Sequence, residues 1–204
     1  MRISLWFRIG LDSHSQEEIQ AVTFRPTVLQ TDRLVLRTPQ RDDVDGLLTM
    51  LGDPEAMKYV GQGKTMNRQQ VEADVDRWIA LEQECGLCLW TVRKQMAQGR
   101  EQVIGHCGLI YMRRSGSQTR GPEVELAYGF ARSFWGQGFA TEAGRAALEY
   151  GFSNLDLDSI LAITYPENLA SQKVLLKLDF EPLGRTEKYY DIEAEFFRRL
   201  RQPS

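Results

Sequence analysis

Two closely spaced glycines, Gly136 and Gly138, stand directly before a strongly helical stretch. Because glycine has no Cβ, the backbone amides of residues 135–141 can come close to a large ligand. The partial positive charge at the N-terminus of a helix favours a phosphate or pyrophosphate at such a position. The alternating run VELAYGF at 124–130 precedes the glycines and predicts a strand. The spacing therefore predicts a strand, an anion-binding loop and a helix, with a purely structural tight turn as the alternative.

Neither of the two common nucleotide-binding fingerprints fits this chain. The sequence Gly-Lys-Thr occurs at 63–65, but Lys58 stands where a P-loop requires its first glycine. A dinucleotide fingerprint requires glycine or alanine three residues after Gly138, where this chain has Thr141. The loop is therefore predicted to bind a phosphate-bearing ligand of another kind.

Several motifs in a fixed order extend the pattern over nearly the whole chain, from about Thr31 to Arg199. Together they resemble the GNAT N-acetyltransferases, and within these the RimJ/RimL-like branch. The resemblance rests on the following segments: TDRLVLR at 31–37, DPEAM at 53–57, VELAY at 124–128, WGQGFATEA at 135–143, NLAS at 168–171 and LKLDF at 176–180.

This resemblance implies the fold class: a mixed α/β (α+β) structure with a mostly antiparallel, twisted sheet of about six or seven strands flanked by about four helices. It also implies a V-shaped splay between two central strands, 123–130 and 160–165. Backbone groups in such a splay lack partners until a ligand arrives, which is why a cofactor is expected there.

The resemblance further implies acetyl-CoA as the co-substrate, with no metal. The pantetheine arm is expected to pair with strand backbone in the splay, and the pyrophosphate is expected to lie on the glycine loop. Trp135 departs from the Gln or Arg that the superfamily usually has at the start of this loop. The implied cofactor-binding residues are Phe130, Ala131, Trp135, Gly136, Gln137, Gly138, Phe139, Ala140, Thr141, Asn168 and Ser171.

Acetyl transfer to an amine requires that the ammonium lose a proton and that the departing thiolate be stabilised. Glu125 is the leading candidate for the base, because it lies on the strand beside the expected splay. An ion pair with an arginine is the alternative for this carboxylate. Many GNAT enzymes have a tyrosine seven residues after the asparagine, but this chain has Leu175. Ser171, or an ordered water, is therefore the candidate general acid.

Three other side chains near these positions have less specific expectations. Glu142, in the first turn of the central helix, is predicted to interact with the helix dipole rather than to act in catalysis. Tyr189 and Tyr190 could line an acceptor pocket, or could serve ordinary aromatic packing.

The function implied is acetyl-CoA-dependent transfer of an acetyl group to a primary amine, by direct transfer in a ternary complex. The acceptor would be a protein N-terminus or a small amine or amino acid. The alternative is a non-catalytic, acyl-CoA-binding sensor or scaffold, which the substitutions at Leu175 and Asp179 keep open.

Length and composition agree with this class of protein. The chain has 204 residues and a net charge of −3, which gives no electrostatic reason to bind nucleic acid. No apolar run approaches the roughly 18 residues of a membrane span, and residues 1–11 do not form a signal peptide. A cytoplasmic location is therefore expected, and the resemblance implies a monomer or a homodimer.

Cysteine usage predicts neither a disulfide framework nor a metal site. Cys85 and Cys88 have the Cys-x-x-Cys spacing, but no second pair exists and only His14 and His106 could complete a metal shell. Reduced, structural cysteines are the expected state, with a redox pair as the alternative. His106 is expected inside a strand, without a catalytic role.

The helices and strands that would position these residues are predicted from the spacing of hydrophobic residues and from capping residues. Residues 1–28 are predicted to be an N-terminal extension and residues 29–204 the acetyltransferase domain. The loop 113–122, with its arginines, is predicted to be a solvated hairpin tip. Asp179 replaces the usual glycine after a helix, in a left-handed conformation that aspartate tolerates. Strands are predicted at 34–37, 87–94, 103–111, 123–130, 160–165, 181–187 and 192–199, and helices at 42–51, 67–84, 140–152 and 168–178, with a helical turn at 55–59.

Overall fold

A sheet of eight strands carries helices on both of its faces. The structure is a computed structural model that describes residues 24–202. The strands are β1 (Val28–Gln30), β2 (Leu34–Arg37), β3 (Leu89–Gln95), β4 (Glu101–Arg113), β5 (Arg120–Phe130), β6 (Ser159–Thr164), β7 (Glu181–Thr186) and β8 (Ala194–Leu200). The α-helices are α1 (Val44–Leu51), α2 (Pro54–Met57), α3 (Arg68–Cys85), α4 (Phe139–Ser153) and α5 (Leu169–Lys177).

The strand order is β1-β2-β3-β4-β5-β6-β8-β7, and every neighbouring pair is antiparallel except β5 and β6. These two parallel strands are registered at one position only, Glu125 opposite Leu161. Beyond this position, β5 continues to Phe130 and β6 continues to Thr164, but the two strands do not pair with each other. The predicted mixed sheet with a V-shaped splay between two central strands is confirmed.

Helices α1 and α4 lie on opposite faces of the sheet. In α4, a Cβ at Gly144 would lie 3.5 Å from Leu126. In α1, the Met50 side chain lies against Gly129. Because alternate residues of a strand point to opposite faces, Leu126 and Gly129 assign the two helices to different sides. The apolar residues between these layers form one continuous buried cluster.

Local sequence explains where the helices begin and end. Asn67 caps α3 by accepting from the Gln70 amide, and Gln70 bonds back to the Asn67 amide, forming a capping box. Gly86 ends the same helix in the left-handed conformation, at φ 77°. The 3-10 turn that leads into α1 begins in the same way at Gln40, with Asp43 as its reciprocal partner.

Most of the predicted elements are confirmed to within a few residues, and the strand β1 was missed. The predicted extension, residues 1–28, lies outside the described residues except for its last five, and its final residue, Val28, begins β1. The boundary at residue 28 therefore stays a prediction. Within residues 24–202, no helix combines the length and apolar character needed to cross a membrane.

The end of α5 explains two departures from the family pattern. Asp179 has φ 57°, as predicted, and its amide donates to Leu176 O, while the Phe180 amide donates to Leu175 O. These two bonds form a Schellman motif, in which the residues corresponding to Leu175 and Phe180 make an apolar contact. Both side chains are buried here. Leu175 therefore belongs to the core, and its position is not one from which a hydroxyl could reach solvent.

The left-handed Asp179 gives a prediction about stability. Asp179→Gly should leave the free energy of unfolding unchanged or raise it by up to about 1 kcal/mol, because glycine adopts this conformation freely. Asp179→Ala should lower it by about 1 kcal/mol. Loss of the exposed ion pair with Arg199, at 3.6 Å, costs little in either variant. Urea denaturation measures both, with Lys173→Ala in exposed helix as the control. Equal stability of the glycine and alanine variants would contradict the explanation.

Candidate functional site

The loop between β5 and α4 is open on the side of its backbone amides. Gly136 and Gly138 have φ 73° and 83°, which a side chain would strain. A Cβ at Gly136 would contact nothing within 4 Å. Within residues 24–202, the amides of 136–141 have no recorded acceptor. This geometry agrees with the anion-binding loop that the sequence predicts.

Two details of the loop determine which of its amides are free. Helix α4 begins at Phe139, with Gly138 as its N-cap and no side chain bonded at the cap. The Trp135 amide donates to Arg132 O at 3.1 Å and is not open like those that follow it. A helix without a capping side chain keeps its first amides free for a ligand.

Glu142 lies in the first turn of α4, as predicted, but it is engaged by another part of the chain. Its Oε1 accepts from Thr31 Oγ1 at 2.6 Å, and its Oε2 accepts from Arg33 Nε at 2.7 Å. Burial opposes its ionisation, but the bonds from Thr31 and Arg33 outweigh this, and the pKa of Glu142 is lowered. A carboxylate stabilised in this way is a poor base.

The backbone at the end of β5 corrects one of the predicted cofactor contacts. The Ala131 amide donates to Ile104 O at 2.9 Å, so this amide is not free for pantetheine. Because neighbouring residues in an antiparallel strand direct their N–H and C=O groups to opposite sides, Tyr128 and Phe130 direct theirs towards the splay. Phe130 O accepts from Trp135 Nε1 at 2.7 Å. The indole of Trp135, which is half exposed, therefore covers the splayed edge of β5 at its Phe130 end.

Glu125 lies at the vertex of the splay, and its carboxyl is buried. It accepts a hydrogen bond from Tyr190 Oη, and it makes no ion pair within 4 Å among the described residues. Burial raises the pKa of Glu125 to about 7, against the opposing effects of the Tyr190 bond and the charge of Arg120. A carboxylate with this pKa can accept a proton near neutral pH.

Tyr190 reaches Glu125 from a strained loop that another loop holds in place. Tyr190 and Asp191 both have φ 59°, which is uncommon for residues other than glycine. The Tyr190 amide donates to Arg113 O at 3.1 Å, and the Arg113 guanidinium pairs with Asp191 at 2.8 Å. Ser115 Oγ donates to Glu187 O at 2.6 Å. The loop that begins at residue 113 is a largely exposed hairpin tip between β4 and β5, as predicted, and it also supports Tyr190.

The predicted pair Asn168 and Ser171 forms the start of α5. Asn168 caps the helix by accepting from the Ser171 amide at 3.1 Å. The Ser171 hydroxyl lies 2.8 Å from Tyr128 Oη, a partner that the sequence analysis did not identify. Strand alternation offers a signal for it, since Tyr128 lies three residues after Glu125 and so faces the opposite side. A hydroxyl pair thus lies on the α5 side of β5, and the carboxyl of Glu125 lies on the α1 side.

Two remaining candidates, Cys88 and His106, are buried, and His106 lies on β4 opposite Gly129 of the splayed strand. Cys88 is fully buried, and burial, with Glu82 adding to it, raises the pKa of its thiol, so the reactive thiolate is disfavoured. His106 is buried against Trp78, at 5.3 Å between ring centroids, and burial lowers its pKa to about 4. Within residues 24–202 no group of three potential metal ligands occurs.

Comparison with known proteins gives the family. The model for the Acetyltransferase (GNAT) domain matches residues 33–181. The N-acetyltransferase p20 of Bacillus licheniformis, described as uncharacterized, is 32% identical over 173 residues, which cover 79% of this chain and 86% of that protein. Relatives of this kind, named as N-acetyltransferases, do not favour the alternative of a non-catalytic sensor or scaffold.

Solved structures share the fold at low sequence identity. A ribosomal-protein-serine acetyltransferase of Vibrio cholerae superposes with a TM-score of 0.66 at 17% identity, over 86% of this chain and 98% of that one. RimL, a ribosomal L7/L12 alpha-N-protein acetyltransferase solved with coenzyme A, superposes with a TM-score of 0.67 at 16% identity, over 85% and 98%. The chain belongs to the GNAT family of acetyltransferases, and RimL-like enzymes are among its structural neighbours.

Proposed function

We propose that this protein transfers the acetyl group of acetyl-CoA directly to a primary amine within a ternary complex. The observation that carries the proposal is the position of the buried Glu125 at the vertex of the splay. One end of that splay leads to the open amides of 136–141. An acyl donor bound along the splay would thus present its thioester near a base with a pKa of about 7.

The glycine loop would hold the pyrophosphate of acetyl-CoA. The amides of 136–141 supply donors, and the N-terminus of α4 supplies partial positive charge. The backbone groups of Tyr128 and the amide of Phe130 on the splayed edge would pair with the pantetheine arm, and Trp135 and Asn168 would add contacts to the cofactor. Bound acetyl-CoA supplies an activated thioester whose carbonyl carbon accepts the amine.

Glu125 would remove the proton that the attacking amine must lose. The new bond joins the amine nitrogen to the acetyl carbon, and the bond that breaks joins this carbon to sulfur. The ammonium loses one proton to Glu125, directly or through one water, and the nitrogen loses its second proton to solvent as the amide forms. The buried carboxyl accepts the first proton readily, because burial favours the neutral form of the acid.

Ser171 would return a proton to the thiolate of coenzyme A. Its hydroxyl lies on the α5 side of β5, opposite the carboxyl of Glu125. When Tyr128 donates a hydrogen bond to Ser171 Oγ, the serine proton is free to point towards the sulfur. As the serine gives this proton to the thiolate, it takes the proton of Tyr128, and solvent restores the tyrosine. The two sides of β5 would thus take opposite roles, with deprotonation of the acceptor on one side and protonation of the leaving group on the other.

The acceptor is a primary amine, either a protein N-terminus or a small amine or amino acid. The printed name of RimL, an alpha-N-protein acetyltransferase, supports the first class as the one to test first. The assay is release of free thiol from acetyl-CoA with a panel of amines and N-terminal peptides, beside calorimetry of CoA binding. Tight CoA binding without thiol release for any member of a broad panel would contradict the transferase proposal.

The glycine loop gives a prediction about affinity. Gly138→Asp should lower the affinity for CoA about tenfold or more, because it adds a negative charge to the loop proposed to bind the pyrophosphate, with a side chain that would lie against Arg33, whose Nη2 is 3.5 Å from the Cβ position. Isothermal titration calorimetry measures the dissociation constant. Gly99→Asp is the matched control, since Gly99 has φ 71°, has no atom near its Cβ position and lies in the hairpin between β3 and β4. An unchanged dissociation constant for Gly138→Asp would refute the loop assignment.

Glu125 and Tyr190 give a prediction about pH dependence. The base must be ionised, so kcat/KM should rise with pH through an apparent pKa of about 7 and level off above it. Tyr190→Phe removes a bond that favours the ionised carboxylate, so this rise should move to higher pH. Glu125→Gln should abolish the rise and lower kcat by about a hundredfold or more. A wild-type profile that is flat from pH 5.5 to 8.5 would count against Glu125.

The hydroxyl pair gives a prediction about the leaving group. Ser171→Ala should lower kcat with little change in the KM of either substrate, because the proton is needed only as the thiolate departs. Tyr128→Phe should have a smaller effect in the same direction, since it leaves the serine hydroxyl in place. Steady-state kinetics measures both variants. Full activity of Ser171→Ala would assign protonation to water instead.

A further inference from the structure

We propose that Arg33, in the turn between β1 and β2, is a positioning residue that sets the direction of the amides in the glycine loop. This inference rests on the proposed binding of acetyl-CoA by that loop. In the sequence, Arg33 belongs to the motif TDRLVLR at 31–37, which is predicted to form the first strand of the domain. Its contacts instead join two segments about a hundred residues away in sequence.

One guanidinium contacts both the loop and the helix that follows it. Arg33 Nη1 donates to Gln137 O at 3.0 Å, and Arg33 Nε donates to Glu142 Oε2 at 2.7 Å. Glu142 in turn accepts from the Arg33 amide at 3.0 Å and from Thr31 Oγ1 at 2.6 Å. The backbone amide of Arg33 thus bonds to the same carboxylate as its guanidinium does. The guanidinium therefore holds the Gln137 carbonyl at a fixed place relative to the first turn of α4.

The direction of the Gly138 amide follows from this contact. Gln137 C=O and Gly138 N–H belong to one planar trans peptide group, in which they point in opposite directions. When Arg33 holds the carbonyl, the N–H is turned to the other side, where it is free of any acceptor in the described part of the chain. Gly136 and Gly138 have no side chains that could fix this peptide plane by packing, so the restraint has to come from elsewhere.

Arg33 acts here through geometry more than through free charge. Its guanidinium is neutralised by Glu142, whose pKa is lowered in part by this pairing. A second cation, Lys94, lies beside the same helix start: its Nζ is 5.3 Å from the Phe139 ring centroid, where Arg33 Cζ is at 4.5 Å. Lys94 has no recorded bond to the loop carbonyls and no ion pair within 4 Å among residues 24–202. It therefore offers a control for the effect of positive charge alone.

The test compares two acyl donors that differ in the group that the loop holds. Acetyl-CoA carries the pyrophosphate, and S-acetylpantetheine carries the same thioester arm without it. Arg33→Met should raise the KM for acetyl-CoA and the dissociation constant of CoA about tenfold, with kcat at saturation nearly unchanged. The same variant should leave kcat/KM with S-acetylpantetheine within about twofold of wild type. Arg33→Lys, which keeps the charge but not the forked geometry, should resemble Arg33→Met.

Several outcomes would overturn the inference while leaving the proposed function in place. These are an unchanged dissociation constant of CoA in Arg33→Met, an equal loss in Lys94→Ala, full rescue by Arg33→Lys, or a parallel loss of activity with S-acetylpantetheine. If Arg33→Met does not fold, Arg33→Lys and Lys94→Ala still separate geometry from charge. Failure of the wild-type protein to bind CoA would instead refute the proposed function itself.

Discussion

The site depends on the early end of one parallel strand pairing. Strands β5 and β6 are registered only at Glu125 and Leu161, and beyond this point the facing edges diverge. Divergence leaves main-chain donors and acceptors in the interior of a sheet without partners, which is costly unless a ligand or water satisfies them. A linear ligand with amide groups, such as pantetheine, can complete this gap as an extra strand would. The same divergence places the carboxyl of Glu125 at the vertex, where it is buried and yet next to the opening.

Strand alternation then divides the chemistry between the two faces of β5. Glu125 faces the side of α1, and Tyr128, three residues later, faces α5 and meets Ser171. In the proposed mechanism, the base that takes the proton of the acceptor and the acid that protonates the leaving group therefore lie on opposite faces of the sheet. This division requires only that the two positions of one strand differ by an odd number in sequence, three for Glu125 and Tyr128, which a short sequence pattern can specify.

Local patterns predicted most of the fold, and contacts distant in sequence account for what they missed. The spacing of hydrophobic residues, the helix-capping residues and the positions of glycines predicted the glycine loop, the helix that follows it and the left-handed Asp179. Each of these features depends on residues that are neighbours in sequence. The positions of Glu125 and Ser171 also followed from the family motifs. In contrast, the partners Tyr190 and Tyr128 come from segments 65 and 43 residues away, and no local signal specifies which loop supports which strand. The expectation that Ala131 offers a free amide to the cofactor was wrong for a related reason. Whether that amide is free depends on which edge of β5 it faces.

A loop that binds through bare amides has a cost that the rest of the molecule must offset. Glycines make the amides accessible, but they also lose more conformational entropy on ordering than other residues do. In this protein, side-chain donors that reach backbone carbonyls restrain the loop: Trp135 Nε1 bonds to Phe130 O, Gln137 Nε2 bonds to Ser133 O, and Arg33 bonds to Gln137 O. Each bond occupies a carbonyl, and the bond from Arg33 leaves the amide of the same peptide group, that of Gly138, without an acceptor among the described residues. The electrostatic character of the loop, a surface of donors without competing acceptors, therefore arises from restraint of the carbonyls as much as from the helix dipole.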